Sequence, residues 1–511
     1  MKNKTLQLII PFLLLGIIFR LLLTQNGNFI FNIDNGRDMV DIREMVVLQK
    51  PRLIGHTAAI DGVFYGPYWY YLSSIPFFLS HGNPFANIIL QIILWAIGGF
   101  FALKLAQGWG KVAILAIGFL WVVSDFMILS TSYAFNPNPV LFLSPLLIFL
   151  FDKYLKTKKI IYSLSCFALA ATFLSNEILF AILLPIILIV SILVTKNFKL
   201  FKTKSFWLGI FAFLTISSPH LLFELRHNFF MTKSLINFLA LGGDTNTNFN
   251  LVTRITYVIT KFDEILRPTF FNNGFLGYSF VILFFVVLVF LIKKGQFLKD
   301  NLFIILSSYI LIPITFFILI PVNINSWHWV GVISALIIIA GFLLGTGLKL
   351  GKIIGVLCIG LLFLIISFSI FNISDYLKRS RQTQTGSSIF INELNAVDFI
   401  YQKAEGKNFK VYTYLPSVID YPYQYIFWWR GLNKYGYLPQ EYAYEPNKPQ
   451  YIAQKEKLDT GSHPESSGLV FLIKEPDRGL RHLWENTFKS YPFISTEEVG
   501  PLTIETRLDS Q

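Results

Sequence analysis

"LQLIIPFLLLGIIFRLLLTQNGNFIFNIDNGRDMVDIREMV", residues 6–46, sets an apolar run of membrane-spanning length directly before a cluster of charge. The run 6–23 approaches the roughly 20 apolar residues needed to cross about 30 Å of hydrocarbon. "TQNGN" follows it with no small-residue cleavage site, so the run reads as a retained helix rather than a removed signal. Asp34, Arg37, Asp38 and Asp41 come next. Their spacing of i, i+3, i+4 and i+7 puts all four on one face of a helix. Asn32 or Asp34 can cap that helix, which is predicted to begin near Asn35. Met39, Ile42 and Val46 then form an apolar face suited to the bilayer or to neighbouring spans.

The rest of the 511-residue chain explains the setting. Hydrophobic residues make up 54% and charged residues 14%, and the mean hydropathy is +0.56. Soluble domains carry about 25% charged residues, so the deficit indicates a polytopic membrane protein. The net charge of +13 does not point to nucleic acid, because the lysines sit in short gaps between apolar runs. Cys166 and Cys358 both lie inside apolar runs and form neither a disulfide framework nor a thiolate metal site.

About eleven runs have spanning length. They fall near 6–23, 85–104, 111–129, 138–152, 160–175, 177–195, 205–222, 273–292, 301–321, 328–347 and 352–373. The gaps "KNK", "KLAQGWGK", "DKYLKTKK", "KNFKLFKTK", "KKGQFLKD" and "GLKLGK" carry lysine, whereas "TSYAFNPN", "SNE" and "PVNINSW" carry neither Lys nor Arg. The positive-inside rule therefore places the N-terminus in the cytoplasm of a multi-pass plasma-membrane protein. The long loops 24–84 and 223–272, and the tail, then lie outside. The expected organisation is a transmembrane domain over 1–373 and an extracytoplasmic α/β domain over 374–511. In the tail "NFKVYTYL", "GLVFLIKE" and "PLTIETRL" read as strands and "GLRHLWENTFKSY" as an amphipathic helix. Tyr425, Trp428 and Trp429 read either as core and docking surface or as a platform for sugars or the membrane.

Chemistry concentrates in the outer loops. An acid of the 34–41 cluster can deprotonate a hydroxyl, and Arg37 can grip a phosphate bidentately. The alternative is a solvated helix start with internally paired charges. "YGPYWYYL", residues 65–72, opens a short interfacial helix, with Tyr65, Tyr68 and Trp69 either lining a substrate cavity or anchoring at the interface. His56 and His81 lack a second ligand at helical spacing, so no metal set is assigned. "FELRH" holds Glu224, Arg226 and His227, an Arg-His pair suited to phosphate with Glu224 to orient it, or else snorkelling side chains. Glu177 in "LSNEIL" is either a functional carboxylate or a charge at a short outer turn. No Walker loop, dinucleotide turn, HExxH or GxSxG occurs, so an enzyme here would draw on an activated substrate delivered through the lipid.

The order "DNGRD", "GVFYGPYWYYL", "HGNP", "YAFNPN" and "SPHLLFELRHNFF" resembles the integral-membrane GT-C glycosyltransferases, in particular protein O-mannosyltransferases and aminoarabinose transferases. The resemblance covers most of residues 1–350. It implies transfer of a sugar, with inversion, from a polyprenyl-phosphate carrier to a glycan, lipid or protein acceptor on the outer face. It makes Asp34 the general base and Arg37 a carrier-phosphate contact. Arg226 and His227 become further phosphate contacts, and Asp38, Glu177 and Glu224 supporting charges. Many members carry Asp-Glu where this chain has Asp34-Asn35. Some place an acid or lysine where Tyr65 and Gly66 stand, so a metal site does not carry over, although a divalent cation is compatible with the chemistry. A transporter or flippase of lipid-linked sugars would show repeats and charges within spans. A non-catalytic scaffold with a glycan-binding tail would leave Asp34 freely replaceable.

Overall fold

A computed structural model describes residues 2–58, 60–240, 250–294, 300–446, 452, 454–476 and 479–509. Each predicted apolar run falls on a helix or a broken helix pair, beginning with α1, Lys2–Thr24. The expected count of about eleven spans is not confirmed. Among the described residues six helices are long and apolar enough to cross a membrane, and up to eight if each bent pair counts as one span. The bent pairs are Lys111–Val123 with Asp125–Thr131, at 48°, and Lys204–Ile216 with Ser218–Arg226, at 58°. Ile160–Ser175 and Ile178–Val194 are shorter, cut apart by the polar Asn176 and Glu177.

The break at Ser124 has a partner. Arg20 of α1 is 1% exposed and reaches into it, donating to the carbonyls of Val122 at 3.0 Å, Trp121 at 3.4 Å and Met127 at 3.5 Å. Its guanidinium also lies 3.7 Å from the Trp95 ring centroid. A helix end leaves carbonyls without partners, and a planar fork of N–H donors meets several at once. Arg254 does the same where helix Asn301–Leu319 ends, donating to Phe317, Ile320 and Val322. The region expected as a second outer loop, 223–272, is itself helical over Phe230–Ala240 and Leu251–Thr269.

Toward the C-terminus, β1 (Asn408–Tyr414), β2 (Glu441–Ala443), β3 (Ser466–Lys474), β4 (Phe493–Val499) and β5 (Leu502–Leu508) form one sheet in the order β2-β1-β3-β5-β4. β1 runs parallel to β2 and β3, while β5 is antiparallel to β3 and β4. The three strands read from the sequence are present. The helix expected over "GLRHLWENTFKSY" shrinks to Arg481–Asn486.

This sheet region is bolted to the segment between α1 and Tyr68 through α2, Ile33–Val47, and helix Tyr421–Arg430. Gly36 permits it, since a Cβ there would lie 2.4 Å from the Pro422 nitrogen and 2.6 Å from the Tyr421 carbonyl carbon. Met39 and Ile42 are buried in one core with Tyr425, Trp428 and Trp429. The apolar face of α2 therefore meets the tail, not lipid, and the aromatic segment is core and docking surface. Phe29 stacks on Phe390 at 4.9 Å, and the Tyr425 hydroxyl donates to the Gly82 carbonyl.

Candidate active site

Asn32 caps α2, accepting from the backbone N–H of Asp34 at 3.0 Å and of Asn35 at 3.4 Å. Asn35 closes the box by accepting from the Asn32 N–H, so the helix starts at Ile33, two residues earlier than expected. Asp34 sits in the first turn, where the free N–H groups favour a carboxylate.

Arg37 joins the acids. It donates to Asp34 Oδ1 at 3.0 Å and, through Nε and a terminal nitrogen, to Asp38 Oδ1 at 3.2 and 3.0 Å. Burial alone would lower its pKa, but the charges of Asp38, Tyr70 and Asp34 outweigh that and raise it. The other Asp34 oxygen accepts from the Tyr133 hydroxyl at 3.2 Å, and Tyr133 also bonds Asn32. Asp38 is buried, and its second oxygen accepts from Trp69 Nε1 at 2.7 Å. Burial pushes its carboxyl up against the pull of Arg37 and Trp69. Asp41 belongs to a separate pair, bonded by Tyr70 at 2.8 Å and by Arg52 at 2.8 Å, with Arg52 also on Glu44. His56 lies 3.8 Å from Asp38, yet burial and the Arg37 charge push its pKa down to about 3, so the ring is neutral.

α3, Tyr68–Leu79, carries the predicted aromatics. Trp69 holds Asp38, as above. The Tyr68 hydroxyl donates to the Ile216 carbonyl at 2.7 Å, and Tyr65, just before the helix, lies over His56 at 4.5 Å. Gly66 packs on the turn before Glu177, its N–H bonding Leu174 and its Cβ position 2.2 Å from Ser175 Oγ.

Glu177 is fully buried. It caps helix Ile178–Val194 through the Phe180 N–H and accepts from His328 Nδ1 at 2.9 Å. Glu224 does not orient its neighbours. Its carboxylate caps helix Phe230–Ala240 through the N–H groups of Met231 and Thr232. Arg226 and His227 are exposed, and His227 stacks on Phe223 at 4.1 Å. The structure thus joins Asp34, Arg37, Asp38, Tyr65 and Trp69, and leaves Arg226 and His227 outside that cluster. Sequence reading passes over Tyr133, His220 and His328. His220 lies at the loop, its Nε2 3.2 Å from the Phe64 carbonyl. Tyr133 sits in the quoted "YAFNPN", yet its partner is 99 positions away. Among the described residues no three His, Cys, Asp or Glu side chains are grouped as a metal site.

No family model and no curated protein matches the chain. Among solved structures, ArnT from Cupriavidus metallidurans bound to undecaprenyl phosphate aligns with a TM-score of 0.62 at 13% identity, covering 98% of each chain. The apo state of that protein gives the same values. An oligosaccharyltransferase from Archaeoglobus fulgidus, in complex with Zn and sulfate, aligns at a TM-score of 0.46 and 11% identity over 96% of this chain and 72% of that one. With its apolar helices, its capped helix α2 and its docked C-terminal sheet, the chain is a membrane protein with the fold of the GT-C glycosyltransferases.

Proposed function

We propose that this chain is a membrane glycosyltransferase moving a sugar from a polyprenyl-phosphate carrier to a hydroxyl acceptor on the extracytoplasmic face. The observation that carries the reading is the Asp34 carboxylate, one-third exposed, held between the Arg37 guanidinium and the Tyr133 hydroxyl. The similar ArnT structure holds undecaprenyl phosphate, which supports that class of carrier. Short lysine-bearing gaps support a cytoplasmic N-terminus and an outer sheet region over 374–511.

In this reading the acceptor oxygen attacks the anomeric carbon from the face opposite the phosphate. The anomeric C–O bond breaks, and its electron pair leaves on the carrier phosphate, inverting the centre. Asp34 takes the hydroxyl proton, and Arg37 keeps that carboxylate aimed while neutralising charge nearby. The sugar phosphate is already activated, so no nucleotide or redox cofactor enters. The acceptor is a glycan, lipid or protein hydroxyl.

Transfer from a panel of undecaprenyl-phosphate sugars by the purified full chain in proteoliposomes tests this. Asp34→Asn should fold and insert normally, yet transfer should fall by about 10²–10⁴-fold. Full activity in that variant removes Asp34 as the base. Sugar crossing the bilayer without a new glycosidic bond would make the chain a transporter.

A further inference from the structure

The end of α1 and the start of α4, Phe85–Ala106, come together with the tail around a cavity of about 600 Å³. The tail contributes Phe390 and Leu394 from helix Phe390–Lys403, and Trp429 and Arg430 from helix Tyr421–Arg430. Phe29 joins the two sides, with its ring 4.9 Å from Phe390 and 5.9 Å from Phe85.

A second cavity, of about 460 Å³, continues along the same two helices. Leu21 lines both, and every residue of the second is apolar, from Ile17 on α1 to Ile89, Ile93 and Phe101 on α4. Both helices are long and apolar enough to cross a membrane, so this groove lies among the lipid chains and the first cavity is its mouth at the end of the spans. From Ile89 to Phe101 the groove follows about 18 Å of helix at 1.5 Å per residue, close to one leaflet of a hydrocarbon core about 30 Å thick. That length suits an acyl chain and is far too short for an extended polyprenyl chain.

The mouth is polar where the groove is not. Arg430 is the one charged residue lining it, beside the amides of Gln25, Asn26 and Asn83, and no carboxylate lines it. Arg430 gives Nε and one terminal nitrogen to Asp398, at 2.9 and 2.7 Å. Its other terminal nitrogen has no partner among the described residues. Asp398 also holds Lys434 at 2.8 Å, so two cations share one carboxylate and a positive charge is left over. A free guanidinium N–H beside amide donors matches a phosphodiester oxygen. The surplus charge attracts an anionic headgroup and repels a choline.

We propose that mouth and groove together bind one anionic bilayer phospholipid, its phosphate on Arg430 and an acyl chain between α1 and α4, so that the lipid pins the tail to the spans. None of the lining residues belongs to the Asp34 cluster, and the test needs no sugar transfer.

The purified full chain goes into phosphatidylcholine nanodiscs carrying a trace of a phospholipid with a diazirine in its acyl chain. The probe is made once with a glycerol and once with a choline headgroup. After photolysis, mass spectrometry should find the phosphatidylglycerol probe about tenfold enriched over its choline twin at residues 17–22 and 85–101. The two should label the strongly exposed Val356 and Phe363 of helix Lys352–Ser380 equally. Unlabelled phosphatidylglycerol should displace the enriched label, and undecaprenyl phosphate at the same mole fraction should not. Arg430→Gln keeps an amide for Asp398 but loses the charge, and should bring the enrichment down to about twofold or less. Leu21→Trp, at a position 37% exposed, should fold regardless and cut the enriched label by closing the passage between the cavities. Equal labelling of 17–22 and 85–101 by the two probes overturns the proposal. So does displacement by undecaprenyl phosphate ahead of phosphatidylglycerol, or wild-type enrichment in either variant.

Discussion

Gly36 and Pro422 touch backbone to backbone, at a separation a single methyl group cannot enter. Ala is the better helix former by about 1 kcal/mol, so propensity alone favours Gly36→Ala. The contact reverses the sign, because neither backbone can turn aside as a flexible side chain does, and overpacking of this kind costs about 1–3 kcal/mol. Gly36→Ala should lower the melting temperature in detergent and speed proteolysis within 374–511. Stabilisation would show that the two helices part freely.

Asp38 offers a second measurable contrast. It is 5% exposed and serves both Trp69 Nε1 and Arg37. Asp38→Ala leaves a buried indole N–H without an acceptor and removes one of the two carboxylates on Arg37, a loss of about 2–4 kcal/mol. Asp38→Asn keeps an acceptor for Trp69 and should unfold at a higher temperature than Asp38→Ala. Equal melting temperatures would deny the Trp69 bond its role.

His56 predicts a pH dependence. The folded ring protonates only at about 3, against an ordinary value of 6.5, because burial and then Arg37 oppose the charge. Between those values the unfolded chain binds the extra proton and the folded chain does not. Stability is therefore complete above pH 6.5 and falls as pH drops through it, by up to about 1.4 kcal/mol per unit. Melting curves from pH 7.5 to 5 should show this decline in the wild type and a shallower one in His56→Gln.

Arg20 answers the broken helix with donors that few side chains can supply. Arg20→Met preserves much of the apolar stem but strands the Val122 carbonyl, while that of Trp121 keeps the Trp95 Nε1 donor and that of Met127 the Thr131 hydroxyl. A loss of about 1–3 kcal/mol follows. Arg20→Lys should recover only part of it, because an ammonium lacks the planar fork. Thermal melting of the three proteins orders them, and full recovery by lysine would count against the fork.

The helical runs are legible because a bilayer asks only for apolar length, which needs no knowledge of partners. The count is harder. Whether 111–129 is one span or a kinked pair depends on Arg20, about a hundred positions upstream. Asn32 and the acids of α2 are readable because capping and i, i+4 spacing are local. The buried side of α2 is not readable, since Met39 and Ile42 suit lipid as well as protein, and only the fold brings Trp428 to them. Glu224 shows the opposite failure. Its neighbours in sequence, Arg226 and His227, suggest a charged unit, while its carboxylate turns to the next helix. His328 goes unseen because Glu177, which gives it meaning, lies 151 positions away.

The double commitment of α2 limits how far its sequence can drift. Inward positions such as Gly36, Met39, Ile42 and Arg43 are held by the tail, while Asp34, Arg37, Asp38, Asp41 and Glu44 are tied into ion pairs. Val47, half-exposed at the last turn, is among the few left open to exchange. In a saturation library scored for both expression and transfer, this single helix should appear as an almost unbroken intolerant block, with stability filtering one stripe of positions and activity the other.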